Sequence, residues 1–180
     1  WITENLLSKV NTCRAKVDKA IMLNKNWCLR TEDGDEFLTK NVILAIGSEP
    51  ASLPIKVAPE IALQTALNKE LLKKSVQDKK RIAVFGSSHS AIIIIRDLLE
   101  LGVEQVDNYY IDSLRYATYF DDWILFDNTG LKGETAEWAR DNLHGNLPKG
   151  LTRYQSTSEN IENNMPATDA TIFATGFKSR

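Results

Sequence analysis

The residues with the clearest chemical potential stand together in mid-chain: Gly86, Ser87, Ser88, His89, Ser90 and Ala91. They lie between an apolar run, Ile82 to Phe85, and a largely apolar helical stretch, Ile92 to Leu101. A glycine where a strand ends permits a tight turn into a helix. A small residue five places on lets that helix pack closely on the strand. The helix N-terminus then offers free N–H groups and the positive end of its dipole to an anion. This is how a G-x-G-x-x-G/A turn holds the pyrophosphate of a dinucleotide. Gly86 takes the first place and Ala91 the third. Ser88 stands at the middle glycine position, where its Cβ narrows the approach and its hydroxyl offers a donor. A plainer reading is also open, in which the serines only cap and start a helix.

The same turn expects an acidic residue at the end of the next strand, to bond the adenosine ribose. Asp112 falls there, after the strand pattern Gln105 to Ile111. Its carboxylate favours NADH. Arg115, three residues on, offers a bidentate fork to the 2′-phosphate of NADPH. The cues conflict, and each residue also reads as ordinary surface or turn. His89 reads as a helix-start residue rather than a base. No residue of the chain is expected to be catalytic, and none to bind metal: Cys13 and Cys28 have neither a disulfide-framework nor a metal-ligand spacing.

Elements must position these groups. Arg81 to Gly86 is a strand ending in glycine, Ile92 to Leu101 a helix closed by Gly102, and Gln105 to Ile111 the next strand. Together they form a βαβ unit, with the right-handed crossover such units take. Upstream, Trp1 to Val10 has helical spacing, and Val17 to Leu23 is a strand. Asp33 and Gly34 join two further short strands as a hairpin. The run Asn41 to Gly47 is apolar without a break and reads as a strand buried on both faces. Three prolines between Ser48 and Pro59 mark a linker, and helical spacing follows over Ala62 to Val76. Downstream come an aromatic stretch from Tyr116 to Trp123, a helix over Glu134 to Leu143, a polar loop from Gln155 to Asn164, and a strand from Ala170 to Ala174. The fold class is therefore α/β: a Rossmann-like parallel sheet with helices on both faces, plus a small, partly antiparallel piece.

Composition limits the partners. Hydrophobic residues make up 43% and charged residues 26%, with a net charge of −2. No basic surplus exists to bind nucleic acid. The longest apolar run, Ala91 to Ile95, is far short of the ~20 residues of a membrane span. Two cysteines suggest a reduced, cytoplasmic setting. The expected partners are a small-molecule cofactor and an unknown substrate, with a homo-oligomer left open. The chain starts at Trp1 without a signal peptide, which reads as a processed or excised chain.

The order of motifs resembles a known family. Asn41 to Gly47 is similar to the first strand-plus-glycine hinge signature of flavoproteins with two dinucleotide-binding domains, with Ile46 where threonine is usual. Asp169 to Phe177 is similar to the second, and Ala174, Thr175 and Gly176 match it fully. The nucleotide turn lies between them, as in that family, and Gly86, Ser88, Ser90 and Ala91 match its form. The signature from Asp169 resembles that of flavin-dependent N-hydroxylating monooxygenases, which usually carry tyrosine where Phe177 stands. Lack of a C-x-x-C pair sets the chain apart from thioredoxin reductases.

The resemblance implies an FAD-dependent NAD(P)H oxidoreductase, monooxygenase-like. Residues 1–48 are expected to be a remnant of the FAD domain, 49–166 an inserted NAD(P)H domain, and 167–180 the return strand to the FAD domain. NAD(P)H would lie on residues 86–91 with Asp112 or Arg115, and its hydride would go to flavin in the full-length protein. Gly47, Thr175 and Gly176 would admit the cofactors to the hinge. FAD is expected in the parent and not in this chain, whose upstream G-x-G-x-x-G is absent, and the chain alone is expected to be inactive. The alternative is a non-catalytic nucleotide-binding or interaction module, with the aromatic stretch from Tyr109 to Trp123 as its partner surface.

Overall fold

The computed structural model describes residues 9–55 and 58–179. The chain divides into two units, Trp1–Ile46 and Gly47–Arg180. Most of the helix expected at the N-terminus lies outside the described residues.

The first unit holds an antiparallel sheet of β1 (Val17–Leu23), β2 (Asn26–Thr31) and β3 (Glu36–Thr39), in the order β1-β2-β3. Asn24 and Lys25 make the first turn, both with positive φ, as a two-residue hairpin of this hand requires. Asp33 and Gly34 make the second, as their types predict. The expected strand over 41–47 does not form. These residues carry no strand pairing, and Ile43 is 93% exposed and Leu44 72%. An apolar run becomes a buried strand only when neighbours fill both sides of its ladder, and no described strand pairs with this one.

The second unit begins with β4 (Ser48–Pro50), within the expected linker. The expected helix over Ala62 to Val76 is split into α1 (Leu63–Ala66) and α2 (Lys69–Ser75). Asn68 separates them and caps α2, its side chain accepting from the Leu71 N–H. The βαβ unit follows as read: β5 (Arg81–Phe85), α3 (His89–Glu100) and β6 (Gln105–Tyr110). Gly102 ends α3 at φ +81, with Val103 N–H bonding back to the Leu98 carbonyl. A small hairpin of β7 (Thr118–Tyr119) and β8 (Ile124–Leu125) carries the aromatic stretch. The unit continues with α4 (Gly133–Leu143), β9 (Leu151–Gln155), α5 (Ser158–Asn164), β10 (Ala170–Phe173) and β11 (Phe177–Ser179). The expected polar loop thus contains α5, capped by the Thr157 side chain.

Four strands form one parallel sheet, ordered β10-β5-β6-β9. Its side chains alternate between two layers. Ile82, Val84, Val106 and Ile172 pack with α3 and α4 on one face, where Ile92, Ile95 and Leu98 are fully buried. Each such aliphatic side chain contributes roughly 1.5–3 kcal/mol on burial. The other face is aromatic: Phe173, Phe85, Tyr109 and Tyr154 stand in register, one per strand. Successive ring centroids lie 5.1, 4.7 and 5.5 Å apart. Met165 and Ile161 cover this row. Within residues 167–180, Ala170–Phe173 joins the sheet and Phe177–Ser179 pairs antiparallel with β4.

Candidate functional site

The chain winds from β5 to β6 to β9 on one side, then returns to place β10 on the other side of β5. The winding reverses between β5 and β10. In open α/β sheets, ligands bind outside the carboxyl ends of the strands at such a reversal. A cleft of about 410 Å³ opens there, lined by Gly86, Ser87, Ser88, Asp112, Thr175 and Gly176 among others. Phe85 and Tyr109 of the aromatic row contribute to its lining.

Gly86 turns the chain out of β5 at φ +126, a backbone conformation that favours glycine. A Cβ at this position would land on the Ala174 carbonyl oxygen at the end of β10, and 3.4 Å from the Ala91 Cβ. The turn therefore has the close strand-to-helix packing that its first and last residues suggested. Ala91 is fully buried beneath it. The Gly86 N–H donates to the Tyr109 carbonyl at 2.8 Å. From Ser88 onward the chain enters α3, whose first N–H groups have no partners within the helix. The Ser88 side chain makes no capping hydrogen bond, so its hydroxyl is not used on the helix start.

Ser87 bridges the turn to the next strand end, its hydroxyl donating to the Asp112 carbonyl at 3.1 Å. Asp112 and Arg115 form an exposed ion pair at 3.9 Å. With Ser87, Ser88, Ser113 and Thr129 they line a smaller hollow of about 200 Å³. The Arg115 guanidinium also lies 5.8 Å from the centroid of the Phe126 ring. Carboxylate and guanidinium therefore share one hollow, and the coenzyme conflict read from the sequence persists in the geometry.

Two residues of the turn stand apart. His89 is exposed and does not line the cleft; its ring meets the Thr135 hydroxyl of α4 at 3.3 Å. Ser90 sits in the first turn of α3, also outside the cleft lining. Thr175 and Gly176 are both tied to Ala51. Thr175 Oγ1 donates to the Ala51 carbonyl at 2.6 Å, and Ala51 N–H donates to the Gly176 carbonyl at 2.9 Å. Gly176 (φ +98) and Gly47 (φ +68) have open space where a Cβ would stand, and Gly47 does not line the cleft.

Two residues around the site, Asn108 and Arg153, carry no role in the sequence pattern, and a third, Tyr109, is expected at the start of an exposed partner surface but is 1% exposed in the aromatic row of the sheet. Asn108 is fully buried in β6, and its amide donates to the Val84 carbonyl at 3.0 Å and the Gly86 carbonyl at 2.7 Å. Arg153 of β9 donates its Nε–H to the Asn108 Oδ1 at 2.9 Å and lies over the Tyr110 ring. Burial lowers the pKa of this guanidinium. Tyr109 supports the cleft, and burial pushes its hydroxyl up to about 12. Polar residues inside a strand pattern were the available signal for Asn108. Among the described residues no cluster suits a metal ion, and no helix is long and apolar enough to cross a membrane.

Comparison with known proteins agrees with this architecture. Residues 4–122 match the family described as L-lysine 6-monooxygenase/L-ornithine 5-monooxygenase. Monooxygenase AgnR1 of Paecilomyces divaricatus is 37% identical over 127 residues, which are 63% of this chain and 32% of that protein. Among solved structures, the flavin-containing monooxygenase of Stenotrophomonas maltophilia superposes with a TM-score of 0.60 at 18% identity, over 98% of this chain and 54% of that one. The L-lysine 6-monooxygenase of Pseudomonas syringae gives 0.59 at 16% identity, over 92% and 53%. At these identities the structures share the fold. The chain spans about a third of the curated relative and about half of the solved chains. With the matched stretch covering both the first hinge signature and the nucleotide turn, the chain belongs to the L-lysine 6-monooxygenase/L-ornithine 5-monooxygenase family.

Proposed function

We propose that this chain is the NAD(P)H-binding part of an FAD-dependent N-hydroxylating monooxygenase. One observation carries the reading: the close approach of Gly86 to the Ala174 carbonyl, which leaves a backbone-lined cleft at the reversal of the sheet. A side chain at residue 86 would fill that cradle. The residues present fit a dinucleotide. The N-terminus of α3, with Ser87 and Ser88, would hold the pyrophosphate. Asp112 or Arg115 would contact the adenosine ribose from the smaller hollow. Thr175 and Gly176 would bound the cleft on the β10 side.

When bound, the reduced nicotinamide supplies a hydride for flavin in the longer protein. This chain binds and orients. It closes one side of the cleft with Phe85 and Tyr109, and supplies donors where negative charge must rest. No residue of the site is assigned a proton. FAD itself is assigned to the longer protein; the open space beside Gly47 and Gly176 leaves room for a group against the hinge ribbon.

Calorimetric titration of the chain with NADH, NADPH and FAD tests this. Saturable binding of a reduced nicotinamide, abolished in Gly86→Val, is the expected result. No binding of either at millimolar concentration would sink the reading. A second reading, a non-catalytic interaction module, draws on the exposed hairpin where Phe120 and Trp123 stack at 4.4 Å. A colourless full-length protein that binds no nucleotide would favour it.

A further inference from the structure

Asn108 is fully buried, in a strand whose backbone ladder does not need its side chain. Its three polar contacts are all directional. Arg153 Nε is a donor only, so the Asn108 oxygen must face it and the NH₂ must face the other way. There the two N–H groups meet two carbonyls, Val84 at 3.0 Å and Gly86 at 2.7 Å. Gly86 is thus gripped at both ends, its N–H by the Tyr109 carbonyl and its carbonyl by Asn108.

The second grip has a consequence one bond further on. The Gly86 carbonyl and the Ser87 N–H belong to one peptide plane. That peptide is trans, so the two groups point in opposite directions. A carbonyl held against Asn108, inside the sheet layer, sends the Ser87 N–H away from the sheet. Among the described residues the Ser87 N–H has no backbone acceptor, and Ser87 lines the cleft.

We infer that Asn108 is a positioning residue: by holding the Gly86 carbonyl it turns the Ser87 N–H into the cleft, where it donates to a phosphate oxygen of a bound pyrophosphate. Arg153 acts one step behind it by fixing which way the Asn108 amide faces. The inference rests on the nucleotide reading above.

The test uses two ligands that differ in the group concerned. ADP-ribose carries the pyrophosphate; 2′-AMP carries adenosine and a 2′-phosphate without it. Both are titrated by NMR into the wild-type chain, Asn108→Leu and Arg153→Met. Asn108→Leu keeps the bulk of the side chain and loses the donors. Wild type should show a downfield shift of the Ser87 amide with ADP-ribose. Asn108→Leu should lose that shift and bind ADP-ribose roughly tenfold more weakly, the scale of a hydrogen bond to a charged group. Its affinity for 2′-AMP should change less than twofold. Should Asn108→Leu fail to fold, Arg153→Met carries the test with the same pattern at a smaller amplitude. Equal weakening of both ligands would make Asn108 merely structural and overturn the inference, as would an unchanged Ser87 shift. A wild type that binds NADH, NADPH and ADP-ribose not at all would overturn the nucleotide reading itself.

Discussion

Gly86 has its α-carbon so close to the Ala174 carbonyl that no β-carbon fits between them. The end of β5 and the end of β10 therefore meet backbone to backbone, and the cleft begins where they part. Two penalties follow for any side chain at 86: a positive φ, and overlap with the carbonyl of Ala174, a residue whose N–H is bonded to the Phe85 carbonyl. Gly102 carries only the first, at φ +81 with open space around it. Gly86→Ala should cost roughly 2–5 kcal/mol, and Gly102→Ala about 1 kcal/mol. Urea denaturation of the two variants decides this; equal losses would mean that the Ala174 contact contributes nothing.

Asp112 and Arg115 offer opposite preferences from one hollow, and single substitutions separate them. Arg115→Ala removes the guanidinium that lines that hollow. It should weaken NADPH roughly five- to tenfold, about 1–1.4 kcal/mol, and leave NADH within twofold. Asp112→Asn should do the reverse, relieving repulsion of a 2′-phosphate and weakening the ribose contact of NADH. Calorimetry with both coenzymes reads the result. If neither variant changes the NADH to NADPH ratio, the pair is an ordinary surface ion pair.

The βαβ unit was legible because each local signal agreed with the next: the run before Gly86, the small residue at 91, the cap at Gly102. The reversal of the sheet was not, since it depends on β10 pairing with β5 at a separation of 88 residues, as in Ala170 with Ile82. The run 41–47 misled because apolar composition reports what a segment would bury, not whether a neighbour is present to bury it. The helix α5 was hidden by its polar sequence, of which only Ile161 packs on a core. Asn108 was hidden for a related reason. Its three partners come from β5, the Gly86 turn and β9, and only the parallel register Val84–Asn108–Arg153 brings them together.

Asp169 opens the second hinge signature, and its role here is structural. Its Oδ2 accepts from the backbone N–H groups of Lys80 at 2.8 Å and Arg81 at 2.9 Å, tying the start of β10 to the start of β5. The bonds to Arg81 and then Lys80 hold its pKa below the usual 3.8. A depressed carboxylate pKa contributes stability above the unfolded-state value, and that stability is lost as pH falls through the folded value. Asp169→Asn should therefore melt below wild type at pH 7, and the gap should close as the pH is taken below 3.8. Melting curves from pH 7 to pH 2.5 check the sign. A gap that is constant with pH would mean that the charge plays no part.

Tyr109 sits at the centre of the aromatic row, 4.7 Å from Phe85 and 5.5 Å from Tyr154, with its hydroxyl buried and without a hydrogen-bond partner among the described residues. The ring is needed to support the cleft floor; the hydroxyl is not. Leaving a buried donor unsatisfied costs roughly 1–3 kcal/mol, so Tyr109→Phe should keep the stacking and raise stability by about 1 kcal/mol. Burial raises this phenol from 10.0 to about 12 in the folded chain. A raised pKa contributes stability that is complete below the unfolded value and disappears as pH climbs through the folded one. In wild type the unfolded state gains by ionising over that interval, whereas the phenylalanine variant has nothing to ionise at this position. The advantage of Tyr109→Phe should consequently be larger at pH 11 than at pH 7. Denaturation midpoints of both proteins at the two pH values measure it, and an advantage that shrinks at pH 11 would show that the hydroxyl finds a partner when it ionises.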